Sequence, residues 1–422
     1  MTTDIPAVPS IDFDHHSEHY ARHWREINAQ NRAACPVAHT DAHGGFWVLS
    51  SYEDIATVAK DDAAFSSYQE LDDGTHTGAT IPAGPIRQVP IEMDPPEFTA
   101  YRRLLNRSFA PAVIAEWEDY IRSATTYCID QFIDSGTCDL VADVLNPVPA
   151  ITTLSLLGLP TEDWRSFSDT IHEMVHTPPD PDGNFAADDA AQRLMELFVT
   201  VTETISARRQ NPTDDLISTL VHAEIDGEPM SDQRLLEIIS LVIFGGVDTT
   251  GSLLSSVLRW LEANPHERER LAADPGLIPQ ATEEFLRFFS PVQGLARTAT
   301  HDCVIGDQQI RKGERLFLSW ASANFDPALF PDADKVELDR FPNRHQSFGI
   351  GVHRCLGSNL ARLEFRVVLE EILRRMPDFH ISDDAEPFRS IGVVNGWVNL
   401  PTTFTAGVRE GSDVAGNPAL TL

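Results

Sequence analysis

The chain is poor in positive charge: 32 Lys and Arg stand against 64 Asp and Glu in 422 residues, a formal net charge of -32. A surface so negative repels nucleic acid and anionic membrane and favours solubility, which excludes a binder of either. Cysteine is scarce as well. The five (Cys35, Cys128, Cys138, Cys303 and Cys355) are scattered, odd in number and form no C-x-x-C pair. That excludes a disulfide framework and suits a reducing cytosol. No unbroken run of about 18 apolar residues occurs, so no transmembrane span is expected. Met1-Thr-Thr-Asp-Ile-Pro6 lacks a basic segment followed by an apolar core, and reads as neither secretory signal nor membrane anchor. Linker-like segments, repeats and low-complexity arrays are missing too. The missing linkers and repeats leave one large, mainly helical domain over residues 1–422; with the short strands read below it is mainly α with small β-sheets (α+β).

Residues 1–16 are polar and acidic and read as an arm that orders only on contact; residues 411–422 read as a flexible tail. His15, His16, His19 and His23 cluster; the pair at 19 and 23, one helical turn apart, could bind a metal but reads as a solvated helix face. Segments 35–40 and 46–49 read as paired strands around Asp41-Ala-His-Gly-Gly45, followed by a short helix over 52–59. Residues 66–92 form a long stretch with glycine, proline and no clear period, the kind of loop that is usually functional or disordered. Pro95 and Pro96 then suit a helix start. Helices are expected over 111–135, 140–157, 162–176 and 187–209, with the breaker Thr177-Pro-Pro-Asp-Pro-Asp-Gly-Asn184 between the last two.

The chemistry concentrates in Phe348-Gly-Ile-Gly-Val-His-Arg-Cys-Leu-Gly357, which precedes a strongly helical run over 360–374. The spacing puts Cys355 at or just before a helix N-terminus, where the dipole, His353 and Arg354 favour a thiolate. Gly349, Gly351 and Gly357 let the backbone approach a flat ligand closely. A buried structural cysteine would also fit a glycine turn; a zinc site would want a second cysteine at ligand spacing. Upstream, Leu241-Val-Ile-Phe-Gly-Gly-Val-Asp-Thr-Thr250 lies inside a helical pattern from Ser231 to about Trp260. Two adjacent glycines cost such a helix about 1 kcal/mol each. Thr249 lies four residues after Gly245 and can bond its carbonyl, opening the helix locally. Asp248 and Thr249 would supply an acid and a hydroxyl for relaying protons.

Phe348-x-x-Gly351-x-His353-x-Cys355-x-Gly357 resembles the haem-binding signature of the cytochrome P-450 family, and the 241–250 stretch resembles that family's oxygen-binding helix. The likeness runs over roughly residues 46–405 and is nearest to the soluble bacterial camphor-hydroxylase branch. It implies a triangular helical prism around a buried haem b, with Cys355 as the axial metal ligand and Phe348 and Gly349 against the cofactor. Arg102, Arg297 and His353 would face the propionates; many relatives carry histidine where this chain has Phe98. Asp248 and Thr249 would be catalytic. Phe244, Gly245, Val247, Leu295, Val393 and Val394 would line the substrate pocket. Glu284, Arg287 and Arg340 would form a structural ion-pair cluster.

The implied reaction inserts one oxygen atom of O2 into a C–H bond of a small or medium hydrophobic substrate, terpenoid-like by resemblance. Electrons would come from NAD(P)H through a ferredoxin reductase and a ferredoxin, docking near Arg103, Arg107, Arg344 and Arg354. A cytoplasmic monomer is expected, with no membrane and no nucleic-acid partner. A peroxide-driven haem enzyme and a haem-based binding or sensor protein are the other readings. The acid–alcohol pair at 248–249 speaks against both.

Overall fold

The computed structural model describes residues 9–71, 75–84, 86–176 and 188–411. Helices dominate, with several small sheets. The breaker at 177–184, residues 1–8 and the tail from 412 on lie outside the described residues. Thirty-two residues, Asp232–Ala263, form a long apolar helix through the middle. By length and composition it could cross a membrane, yet 67% of its most apolar window is buried, as befits a core helix. Counting unbroken apolar runs passes over it because isolated polar residues interrupt the pattern. Ser231 caps its start by accepting from the Arg234 N–H.

The largest sheet has five strands in the order Val37–Thr40, Phe46–Leu49, Arg315–Leu318, Leu295–Ala299 and Phe65–Ser66. The expected hairpin is there, with Val37 opposite Leu49 and Thr40 opposite Phe46. Leu295–Ala299 pairs antiparallel with Arg315–Leu318, which buries Arg297 in the middle of the sheet.

Three expectations are corrected. Residues 9–16 are a packed segment rather than a loose arm. Ile11 donates its N–H to the His39 carbonyl, and Phe13 is buried against Tyr20, Phe46 and Phe317. Burying such an aromatic contributes roughly 1.5–3 kcal/mol, enough to order the short segment carrying it. The helix expected over 111–135 is two, Pro111–Ala115 and Glu118–Asp130, because the turn between them lets Ile114 and Ile121 both reach the core. The helix over 140–157 opens with a wider turn, Val141–Leu145, before Pro147–Leu157. Pro147 has no N–H to continue a regular ladder, so it starts the second helix.

Glu284, Arg287 and Arg340 meet as expected, and all three are buried. Arg287 grips Glu284 with two hydrogen bonds of 2.8 and 2.7 Å, and Arg340 Nε reaches both carboxylate oxygens at 3.1 and 3.0 Å. The Glu337 N–H and Asn343 Nδ2 also donate to Glu284. The spare Arg287 hydrogens go to the carbonyls of Asn324, Ala333 and Lys335. Such a network is stable only when every member is satisfied. Glu284→Gln, which leaves two buried guanidinium groups short of charge, should lower unfolding free energy by about 3–5 kcal/mol in urea denaturation followed by circular dichroism. A loss under about 1 kcal/mol would show that the cluster is not what holds this region.

Candidate active site

A cavity of about 430 Å³ opens between the central helix and the loop before the helix Ser358–Arg375. Cys355, Phe348, Gly349, Gly357, His353, Arg102 and Arg297 line one part of it; Phe244, Gly245, Thr249, Leu295, Val393 and Val394 line another. Thus the residues singled out in three distant stretches converge on one space. Val247 does not. It is buried in the core cluster on another side of the helix and is corrected from pocket wall to core.

The cysteine loop is held by the Cys355 N–H bonding the Phe348 carbonyl at 2.8 Å. Gly349 and Gly351 take φ of 63° and 77°, conformations that suit glycine alone among common residues. The helix begins three residues after the cysteine, at Ser358. The protein by itself does not make this thiol acidic. Burial pushes the Cys355 thiol up, against the opposing pull of the Gly357 N–H and of Arg102, Arg354 and Arg362. The N–H and the cations pull toward the thiolate as expected, but burial outweighs them. Ligation to a metal cation is what deprotonates a coordinating thiol.

Gly245 and Gly246 do different jobs. A Cβ on Gly245 would meet nothing within 4 Å, so it would project into the cavity. On Gly246 it would lie 2.5 Å from Thr153 Oγ1, so that glycine serves close packing with the helix Pro147–Leu157. Thr249 Oγ1 donates to the Gly245 carbonyl at 2.8 Å, as its spacing implied. The helix itself is interrupted at Asp248, between Asp232–Val247 and Thr249–Ala263.

Asp248 does not line the cavity. It is buried and paired with two histidines of the helix Trp164–His176: His172 Nδ1 at 2.9 Å and His176 Nε2 at 2.9 Å. Burial alone would raise its carboxyl, but the two imidazoles outweigh it and hold Asp248 well below the ordinary carboxylate range. His172 loses by burial and gains more from Asp248 and Asp169, so it is raised above 6.5. Sequence reading missed both histidines, although their four-residue spacing on a helix facing the cavity was the available signal. It also missed Glu364. This buried carboxyl lines the cavity, accepts from Thr250 Oγ1 at 3.1 Å and is pushed up to about 8 by burial, so it is largely protonated at neutral pH. Asp94 was missed too. It accepts from the Ser67 N–H at 2.9 Å and supplies the opposing charge near Arg297.

A planar cofactor with anionic arms fits these residues. Arg297 is buried with one hydrogen bond, to the Ala296 carbonyl, and burial lowers its guanidinium to about 10. His353 Nδ1 is buried without a partner among the described residues, while Nε2 lies 3.1 Å from Ser67 Oγ. Burial, then Arg297 and Arg102, lower His353 to about 3, so it is a neutral donor. Arg102 lines the cavity, whereas its neighbour Arg103 is exposed. Phe98 packs tilted against His353 at 4.4 Å between ring centroids, so an apolar ring stands where a second imidazole donor could.

A cysteine facing a glycine-walled cavity, with buried cationic donors beyond it, defines a haem-thiolate enzyme. The sequence profile of the Cytochrome P450 family matches residues 164–274 and 276–394. The chain is similar to a steroid C26-monooxygenase of Mycolicibacterium smegmatis, 36% identical over 389 residues, covering 90% of this chain and 92% of that protein. It is 33% identical to a linalool 8-monooxygenase of Pseudomonas putida over 364 residues, 84% and 89% of the two chains. Its fold resembles a mutant of P450 EryK solved with erythromycin B, with TM-score 0.83 and 30% identity over 94% of this chain and 99% of that one. The chain belongs to the cytochrome P450 family and is a monooxygenase.

The paired charges predict a pH dependence of stability. A lowered Asp248 stabilises the fold above its ordinary value of 3.8 and loses that contribution as pH falls. A raised His172 stabilises below 6.5 and loses its contribution as pH climbs through the higher folded value. The stability advantage of the wild type over His172→Gln should therefore be widest near pH ~5.5 and shrink at both ends. A flat difference in urea unfolding across that range would contradict the ion pairing.

Proposed function

We propose that this protein hydroxylates a compact, hydrophobic, terpenoid-like molecule, using haem b ligated by Cys355 and electrons passed from NAD(P)H through a ferredoxin reductase and a ferredoxin. The observation that carries this reading is the single cavity in which the Cys355 loop meets Thr249 and an apolar wall. Cys355 would hold the iron, Phe348 and Gly349 would lie against the ring, and Arg102, Arg297 and His353 would meet the propionates. When bound, that group supplies the reductive activation of O2.

The protein's own share is positioning and proton supply. Phe244, Leu295, Val393 and Val394 give the substrate an apolar wall without fixed charge, so shape and area select it. The names of similar proteins point the same way: linalool 8-monooxygenase and Cytochrome P450-terp of Pseudomonas, beside the steroid C26-monooxygenases. Thr249 presents its hydroxyl at the opened helix turn. Asp248 lies one residue away and takes its charge from His172 and His176. Glu364, protonated and bonded to Thr250, is a second acid reaching the same space.

For the electron donor, Arg103, Arg107, Arg344 and Arg354 are all exposed, and none makes a salt bridge among the described residues. Arg354 adjoins the ligand cysteine, and its carbonyl accepts from Arg102 at 2.5 Å, so the helix Glu97–Ser108 lies against the cysteine loop. Four unpaired cations on a protein of net charge -32 form a local attraction for an acidic partner.

The test of substrate is a titration of the ferric Soret band with terpenoids, steroids, aromatics and fatty acids. A low-spin to high-spin shift is expected with compact terpenoids; a shift with steroids alone would replace them as substrate class. Thr249→Ala should keep oxidising NADH but lose product per NADH several-fold, measured as product against hydrogen peroxide; unchanged coupling would remove Thr249 from proton supply. Arg107→Glu should slow reduction by the ferredoxin roughly tenfold at low salt in stopped-flow, and an unchanged rate would move the docking face elsewhere.

A further inference from the structure

Three histidines outside the active-site chemistry meet where the N-terminal segment crosses the mouth of the cavity. His15 is buried, His16 lines the cavity, and His43 sits in the turn between the first two strands. Their ring centroids lie 4.3, 5.7 and 5.1 Å apart, and one ring nitrogen from each falls within 4.8 Å of the others.

Phe13, Phe46 and Phe317 pack against the His15 ring, while the polar neighbours of the three rings suit metal ligation. His15 and His16 both place Nε2 2.9 Å from one acceptor, the Ile81 carbonyl. His43 Nε2 lies 2.8 Å from Asp14 Oδ1, the carboxylate–imidazole pairing that orients a metal-binding histidine. Among the described residues His15 Nδ1 is buried and has no hydrogen-bond partner, an unsatisfied lone pair or N–H. Burial, with the other two imidazoles, pushes His15 well down, and burial lowers His16, so both are neutral bases at neutral pH. Three neutral imidazoles in contact gain little from one another; around a cation they become ligands. The nitrogens need only close to roughly 3.3 Å for tetrahedral bonds of about 2.0 Å.

We propose that His15, His16 and His43 bind a divalent transition-metal ion of the zinc class, with Asp14 orienting His43. The three ligands tie the N-terminal segment to the first hairpin. Through Ile81 and Gly392, whose N–H bonds the His15 carbonyl at 3.0 Å, the ion also fixes the loop and the C-terminal turn that frame the cavity. The other cluster, His172, His176 and Asp248, is joined by ion pairs to a buried carboxylate.

The experiment is equilibrium dialysis of tag-free, chelator-stripped haem-loaded protein against micromolar Zn2+, with zinc counted per chain. One zinc is expected on the wild type, at least tenfold weaker binding on His43→Ala, and unchanged binding on the His19→Ala/His23→Ala and His172→Gln/His176→Gln doubles. Zinc should also raise the unfolding midpoint of the wild type and not of His43→Ala. X-ray absorption on the zinc-loaded wild type should count three imidazoles at about 2.0 Å, a readout that needs no variant. The proposal is overturned by no uptake on the wild type, by undiminished uptake on His43→Ala, or by loss of the ion from either double variant.

Discussion

A carboxylate with no water around it must be surrounded by donors, and Glu284 is such a group. Arg287, Arg340, Asn343 and the backbone of Glu337 converge on its two oxygens. In gripping Glu284, Arg287 also fixes the carbonyls at 324, 333 and 335, so a long irregular stretch acquires a defined course. That stretch delivers the chain to the cysteine loop. Asn324 passes the constraint on, donating to Ser347 Oγ and accepting from the Gln346 N–H. A segment with little regular structure thereby reaches Phe348 with its position set. The desolvation of two guanidinium groups and a carboxylate is offset because all five Arg287 hydrogens and both Glu284 oxygens are engaged, and that engagement makes the loop reproducible.

The central helix meets a second demand, being at once core and wall. On one side Gly246 admits the helix carrying Thr153; on another Gly245 leaves the cavity open. Thr249 takes a carbonyl that the regular ladder would have used, and the backbone breaks at Asp248. The break would leave Asp248 as an isolated buried charge were it not for His172 and His176. Those histidines come from the helix that also lends Met174 and Val175 to the cavity. The position of that part of the cavity wall and the charge of Asp248 are therefore set by the same few side chains.

Much of this was legible in the sequence. Local patterns with a steep physical preference were readable: the hairpin around Gly44 and Gly45, the capped start at Ser231, the bond from Thr249 to Gly245, and the glycine loop of Cys355. The E-x-x-R pair at 284 and 287 was readable by spacing, and its third member, Arg340, by resemblance. What escaped was tertiary. Nothing near Asp248 in sequence announces partners 76 and 72 residues away. Val247 and Phe244 look alike in sequence, and only the helix's rotation in the core separates wall from interior. Residues 9–16 look loose because their polar composition hides two residues, Ile11 and Phe13, that find a sheet edge and an aromatic cluster. Glu364 reads as an ordinary helix acid until burial makes it neutral.

The course of residues 9–17 also orders events during synthesis. Residues 9–17 meet His39 and Phe46 as soon as the first hairpin has been made, but their other partners, Phe317 and Gly392, lie far downstream. The cavity wall to which His16 contributes therefore closes only after synthesis has passed Gly392.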